Sequence, residues 1–512
     1  MSTGRVYLVG AGPGDPGLLT LRAARCLAEA DVVVHDYLVG ERLLDGVRAG
    51  AEVIAIGREA RLGQEAIEAI LVDRARAGKV VVRLKNGDPF LFGRGGEEAE
   101  ALACAGVPFE VVPGVPSAIA VPAFAGIPVT HRDRASLVTI ATGHQAATGG
   151  DAEDVPPALP WAALARQGGT LVFLMGMRHL GAIMDALAAH GLAPSTPAAV
   201  VSRGTTGRQR TVVATVGTLA ARAAALEPPA VIVVGDVVAL RERIAWVERR
   251  PLLGRRIVVT RPRAQASALA ERLETAGADV ILFPTIVLVP PPDPAALDAA
   301  VARAADYDWI VFTSANGVAA FFERLAARGG DVRSLARVRL AAIGPETAAA
   351  LDARLLRAAV QPADHRAEGL LEALPADAVR GRRILLPRAS GARGILPETL
   401  RARGAVVDEV IAYRAVPPPD ADAAALRAEL DAGRVDALTF TSSSTVENFV
   451  ALVGRDVLAR AVRDGRPAVA CIGPVTAGTA RAHGLPVDVV PPVYTAAALT
   501  DALVERLRTI LQ

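Results

Sequence analysis

Arg83-Leu-Lys-Asn-Gly-Asp-Pro-Phe-Leu-Phe-Gly-Arg-Gly-Gly-Glu-Glu98 decides how the first half of the chain is read. Before it, Lys79 to Leu84 is a short, valine-rich apolar run, the pattern of a buried strand. After it, Glu97 to Ala105 has helical spacing and no breaker. The loop between them carries four glycines, the acid Asp88 and Pro89. In open α/β sheets, ligands bind at that carboxyl end of the strands. Phe90, Leu91 and Phe92 stand where a merely solvated turn would be polar. Lys85 is one of only two lysines in a chain whose lysines and arginines together number 56. Both features favour a ligand loop over a plain strand-turn-helix connection.

Upstream, the strand Val6 to Val9 leads into Gly10-Ala-Gly-Pro-Gly-Asp-Pro-Gly17 and then a helical stretch, Leu18 to Ala30. Gly12, Gly14 and Gly17, with Asp36 closing the next strand, match a dinucleotide fingerprint and make a case for a nicotinamide enzyme. Pro13 and Pro16 weigh against it, because they remove amide donors that a pyrophosphate needs. A loop rich in glycine and poor in donors suits a ligand with little phosphate, approached closely by backbone. Further strands are expected at Val53–Ile56, Phe109–Val112 and Leu137–Ala141, and within Thr170–Gly176, Val200–Thr205 and Pro229–Gly235, each of the last three pairing a buried strand with glycine at its end. Residues 146–160, rich in Gly, Pro and Asp, are expected to form a mobile loop, and Leu240–Arg250 a charged helix joining the halves. The alternation of strand and helix predicts an α/β fold.

With 512 residues the chain should hold two to four domains. Its 52% hydrophobic and 21% charged residues are those of a globular protein. A net charge of +2, with no basic tract interleaved with aromatics, argues against a nucleic-acid partner. Cys26, Cys104 and Cys471 are scattered and the seven histidines dispersed, which fits a reducing cytoplasm and no protein-held metal. No apolar run reaches the ~18 residues of a membrane span, and the amino terminus shows no signal-peptide pattern.

The second half repeats itself. Gly254-Arg-Arg-Ile-Val-Val-Thr-Arg261 recurs as Gly381-Arg-Arg-Ile-Leu-Leu-Pro-Arg388, Phe312-Thr-Ser314 as Phe440-Thr-Ser442, and Ile343-Gly-Pro345 as Ile472-Gly-Pro474. Pro290-Pro-Pro-Asp293 recurs as Pro417-Pro-Pro-Asp420, so a unit is duplicated. Two similar lobes imply a cleft. Arg261 and Arg388 end strands there, and helices start near Asn316, Thr347, Ser444 and Thr476. Arginines and helix amino termini together bind carboxylates. Each Ser or Thr alone reads as a helix cap, but the set in both lobes points to a polyanionic ligand.

Residues 4–247 resemble the uroporphyrinogen-III C-methyltransferases of the tetrapyrrole methylase family. The resemblance is carried by Val9-Gly-Ala-Gly-Pro-Gly-Asp-Pro16, Arg83 to Phe90 with Phe92 to Glu98, Val112-Pro-Gly114, Ala125-Gly-Ile-Pro128 with Thr130-His-Arg132, and Met175-Gly176. It implies S-adenosylmethionine as cosubstrate, contacted by Pro13, Asn86, Gly87, Asp88, Leu91, Pro116, Ser117, Met175 and Gly204. It also implies Asp36 as the base and a homodimer paired through this half. Arg58 stands where the family has a proton-donating lysine. Arginine is a poor acid, so Arg58 is expected to bind a propionate, with Lys85 or a water as the alternative donor.

Residues 253–512 resemble uroporphyrinogen-III synthase, through Val259-Thr-Arg-Pro262, the two Phe-Thr-Ser strands, the Ile-Gly-Pro turns and Tyr413. This resemblance implies one lobe of about 253–288 plus 416–512 and a second of about 289–415, behind a methyltransferase half of 1–250. Substrate is expected at Lys85 in the first half and at Arg261, Thr313, Ser314, Arg388, Thr441 and Ser442 in the second, with Tyr413 assisting loss of a hydroxyl. The expectation for the whole is a bifunctional enzyme that closes hydroxymethylbilane to uroporphyrinogen III and methylates it twice to precorrin-2.

Overall fold

The computed structural model describes residues 4–48, 50–57, 62–143, 158–261, 263–392, 394–418, 422–463 and 466–509. Arg58 and most of the loop expected at 146–160 lie outside these residues. Five strands open the chain: β1 (Arg5–Gly10), β2 (Val32–Asp36), β3 (Glu52–Ile56), β4 (Val80–Lys85) and β5 (Phe109–Val112). They form one parallel sheet in the order β3-β2-β4-β1-β5. Parallel strands covered on both faces read as unbroken apolar runs. Accordingly Val6, Leu8, Val9, Val33, Val34, Val81, Val82 and Leu84 are fully buried. Each such side chain contributes about 1.5–3 kcal/mol. The connection leaving β1 passes over β4 to β2, and that leaving β4 passes over β1 to β5. Their two loops therefore diverge from adjacent strands, a topological switch point.

A second sheet holds β6 (Val138–Thr142), β7 (Thr170–Leu174), β8 (Pro197–Ser202), β9 (Arg210–Thr215) and β10 (Ala230–Val234), ordered β6-β7-β10-β8-β9. Only β6 and β7 pair in parallel. The edge strand β9 was not expected, since its half-exposed residues lack a clear alternation.

The joining segment departs from expectation. Instead of one helix over Leu240–Arg250 there is a turn of helix at Arg241–Ile244 and a 3-10 turn at Val247–Arg249. Between them Trp246 lies 5.1 Å from the Phe124 ring and donates its indole N–H to the Ala123 carbonyl at 3.0 Å. Docking this one side chain outweighs the helical propensity of the segment.

The second half contributes β11 (Arg256–Val259), β12 (Asp279–Leu282), β13 (Val287–Val289), β14 (Trp309–Phe312), β15 (Arg339–Ala342), β16 (Arg383–Ala389), β17 (Val406–Val416), β18 (Ala437–Phe440) and β19 (Ala468–Cys471). They build two sheets, β12-β11-β18-β19 and β13-β17-β16-β14-β15. The start of the first repeat thus pairs with the end of the second, and the end of the first with the start of the second. The duplication reaches individual bonds. Asp436 accepts from the Arg256 amide and Asp308 from the Arg383 amide, both at 2.9 Å. The chain crosses between sheets ahead of Pro290, where β13 pairs antiparallel with the end of β17 (Val287 opposite Val416). Pairing the two crossings satisfies backbone groups that bare proline connectors would leave to solvent.

No helix among the described residues is long and apolar enough to cross a membrane. Cys26 and Cys471 are buried and Cys104 is exposed. Burial raises the Cys26 thiol, and pushes that of Cys471 up to about 11. Because the thiolate is the nucleophile, a disulfide reagent should titrate Cys104 alone in the native protein and all three thiols in denaturant. Rapid native reaction at Cys471 would contradict this packing.

Candidate active sites

The first site lies at the switch point. The loops after β1 and β4 are joined directly: the Gly87 amide donates to the Gly12 carbonyl at 2.7 Å, and the Gly12 amide to the Gly87 carbonyl at 3.2 Å. A third loop, after β5, closes on both. A β-carbon added at Gly114 would sit 2.1 Å from the Gly87 carbonyl oxygen and 2.7 Å from the Gly10 α-carbon, so only glycine fits. Asp88 locks the arrangement by accepting from the Phe90 amide at 2.8 Å and the Gly114 amide at 3.0 Å. Its carboxylate therefore braces the crevice through backbone.

Pro116 and Ser117 open the helix Ser117–Phe124 beside Gly87, whose φ is +67°. Gly204 is pressed onto the same helix: a β-carbon there would lie 2.4 Å from Val121. Its neighbours Arg203 and Thr205 take left-handed conformations, and the Thr205 hydroxyl accepts from the Asp15 amide at 3.3 Å. Leu91 packs into the cluster that contains Val121 and Leu174. Met175, which follows Leu174, is left-handed and 50% exposed, an unusual state for an apolar side chain. Pro13 is half-buried on the first loop. The fold thus brings Pro13, Asn86, Gly87, Asp88, Pro116, Ser117 and Gly204 to linked loops, and sets Leu91 on the apolar cluster beside them, with Met175 one residue beyond Leu174 of that cluster.

Asp36 ends β2 with its side chain 30% exposed, and Arg83 donates to its Oδ1. The same guanidinium donates from Nε to Glu98 Oε1 at 3.0 Å, and Lys85 Nζ donates to that oxygen at 2.8 Å. Glu98 is fully buried, and its Oε2 has no hydrogen-bond partner among the described residues. Burial, then the neighbouring Arg83 charge, holds the Lys85 ammonium below its usual value. Lys85 was expected on the substrate. It is instead 2% exposed and engaged with Glu98, because successive residues of a strand alternate faces and its side chain points beneath the loop. Arg83 and Glu98 were not singled out from sequence. The available signal was a charged residue inside an apolar strand run.

The second site lies among the strand ends of the second half. Tyr413 on β17 and Ser314 after β14 meet hydroxyl to hydroxyl at 3.0 Å. Ser314 also caps the helix Ala315–Ala327 by accepting from the Gly317 amide at 3.0 Å, and Ser442 caps Ser443–Val453 through the Thr445 amide at 3.3 Å. Thr313 and Thr441 are half-buried beside them. Arg261 reaches across from one sheet to the other, with Glu346 3.8 Å away. Arg388, expected on a substrate carboxylate, is 5% exposed and donates to Glu409 at 3.0 Å, so part of its charge is already neutralised within the lobe.

Both halves of the chain have counterparts among known proteins. The family model of the tetrapyrrole (corrin/porphyrin) methylases matches residues 5–220, and that of uroporphyrinogen-III synthase HemD matches residues 267–501. The porphyrin biosynthesis protein HemD of Ruminiclostridium josui is 38% identical over 514 residues, covering 99% of this chain and 98% of its own length. The S-adenosyl-L-methionine-dependent uroporphyrinogen III methyltransferase of Methanosarcina barkeri is 51% identical over 244 residues, 47% of this chain and 94% of its own. A solved uroporphyrin-III C-methyl transferase from Thermus thermophilus, complexed with S-adenyl homocysteine, is 43% identical with a TM-score of 0.41, covering 46% of this chain and 100% of that one.

Proposed function

The chain belongs to the tetrapyrrole methylases through its first half and to the uroporphyrinogen-III synthases through its second, and on that premise we propose that it converts hydroxymethylbilane to uroporphyrinogen III and methylates this product twice, giving precorrin-2. The observation that carries the methyl-transfer reading is the glycine-lined, donor-poor crevice at the switch point with a carboxylate at its rim. A β-carbon at Gly10 or Gly114 would strike neighbouring backbone and one at Gly204 the Val121 side chain, so the loops meet closely with few side chains between them, which suits a flat adenosine better than a pyrophosphate.

S-adenosylmethionine supplies an electrophilic methyl group, which the electron-rich β-carbon of a reduced pyrrole attacks. The chain's part is alignment and proton removal. Asp36 takes the proton that leaves the macrocycle, and Arg83 fixes the direction of its carboxylate. Pro13, Asn86, Gly87, Asp88, Leu91, Pro116, Ser117, Met175 and Gly204 form the donor cradle, and Arg58 receives a propionate. In the second half Tyr413, oriented by Ser314, assists departure of the bilane hydroxyl, while Arg261, Thr313, Thr441 and Ser442 face the carboxylates and Arg388 supports the site from within the lobe through Glu409. Family membership further supports a cytoplasmic homodimer paired through the first half.

Incubation with hydroxymethylbilane, with and without S-adenosylmethionine, tests the whole sequence by absorption and product mass. The inverted ring isomer should form without the methyl donor, and its doubly methylated derivative with it. Formation of only the uninverted isomer would remove the synthase reading. Tight calorimetric binding of NAD(P), with none of S-adenosylhomocysteine, would remove the methyltransferase reading.

A further inference from the structure

Two loops of the first half, the turn after Asp36 and the loop that contains Gly204, rest on the second half at Gly254 and at Glu274 to Asp279. The turn Glu41–Leu44, which follows Asp36, carries Arg42. Its guanidinium grips Glu274 with two bonds, Nε to Oε1 at 3.0 Å and NH2 to Oε2 at 3.2 Å, while NH1 holds Asp45 at 2.6 Å. Glu274 lies near the end of the helix Arg263–Thr275. The loop that contains Gly204 runs on to Gly207, whose carbonyl accepts from the Gly254 amide at 2.8 Å. A β-carbon at Gly207 would stand 2.3 Å from the Ala278 carbonyl carbon and the Asp279 amide nitrogen, so the two backbones are in direct contact. Arg208 is 3.8 Å from Asp279, which Arg256 holds at 2.8 Å from the other side. The first loop joins through the Asp15–Thr205 bond. Burial, opposed by Arg42 and reinforced by the charge of Asp15, raises the Glu274 carboxyl, so Asp15 also lies within electrostatic reach.

We propose that Glu274 is a positioning residue for the methyl-donor site, acting through Arg42 on the loop after Asp36, so that the second half forms a fixed outer wall of the first half's crevice. This rests on the proposed methyl-transfer function. The Arg42–Glu274 pair is bidentate and mostly screened from water, with side-chain exposures of 16% and 25%. Such geometry restricts orientation more than a single bond does. Losing it frees the turn that follows the candidate base, whose Leu43 lies in one buried cluster with Ala11 of the first loop, while Gly207 continues to hold the other loop. The donor cradle then samples arrangements in which its loops are misaligned, and apparent affinity falls by the fraction of competent molecules.

The test uses the full chain and S-adenosylhomocysteine in titration calorimetry, with three variants: Glu274→Arg, Arg42→Glu, and the two together. Each single charge reversal should weaken binding about tenfold, within the range of coupling between packed sites, and the exchanged pair should recover most of it. The KM for the methyl donor should rise more than kcat falls, and the rate of bilane closure should hold. Unchanged affinity in both single variants, or no recovery in the exchanged pair, would overturn the proposal. So would a parallel loss of both activities with a lowered unfolding midpoint, because that marks a purely structural pair. Failure of the unaltered chain to bind S-adenosylhomocysteine would overturn the proposed function itself, and this inference with it.

Discussion

Asp36→Asn will abolish methyl transfer and leave ring closure intact. Asparagine keeps the shape of the side chain and an oxygen for the Arg83 NH2 group, which now donates to Asp36 Oδ1. It has no basic carboxylate, so the step lost is proton removal from the methylated macrocycle. Positioned general bases contribute about 10²–10⁴-fold in rate, and a single-turnover assay should show a loss of that order. Calorimetric affinity for S-adenosylhomocysteine should stay close to that of the unaltered chain, because the glycine contacts among the loops after β1, β4 and β5 do not involve Asp36. Ring closure is proposed for strand ends of other sheets, where Tyr413 and Ser314 meet, away from Asp36. Methylation at the original rate would remove Asp36 from the mechanism.

Glu98→Gln should destabilise the first half more than any surface change. Glu98 Oε1 is the common acceptor of Arg83 and Lys85, and all three side chains are buried. The substitution leaves two buried cations with only the rim carboxylate of Asp36 as counter-charge. Breaking a buried pair by removing one partner costs about 3–5 kcal/mol, readable as a lowered urea midpoint for that half. The pH dependence has a definite sign. Lys85 already has a folded pKa below its unfolded value of 10.5, and loss of Glu98, which opposes that shift, will lower it further. Between the folded and unfolded values the unfolded chain binds more protons, so stability rises with pH across that window. The deficit of the variant should therefore shrink as pH rises towards the folded pKa of Lys85 in the unaltered chain, because the variant sheds that proton at lower pH. An undiminished deficit would mean that Lys85 is not the group bearing the cost.

Much of this protein is local in origin, and the sequence alone determined that part. Valine runs bounded by glycine set the strands, because a strand buried on both faces needs no alternation. Pro13 and Pro16 distinguish the first loop from a phosphate cradle, since a missing amide hydrogen is a property of the residue itself. The duplicated Gly-Arg-Arg, Phe-Thr-Ser and Ile-Gly-Pro motifs announce a repeated unit, and the corresponding strands hold matching places in two sheets. Spacing along the chain carries all of this.

Partnership across the fold is not carried by spacing, and there only the tertiary structure decided. Arg83 finds Asp36 because β2 and β4 are parallel neighbours, with Val34 opposite Arg83. Lys85 turns inward to Glu98, although its rarity and its place before the ligand loop suggested an outward role. Trp246 breaks an otherwise helical join by docking on Phe124. Glu274 meets Arg42 from 232 residues away. In each case the deciding quantity is the burial of a charge or an aromatic ring against a partner fixed by sheet register and packing, and a charge taken out of water must find such a partner or be neutralised.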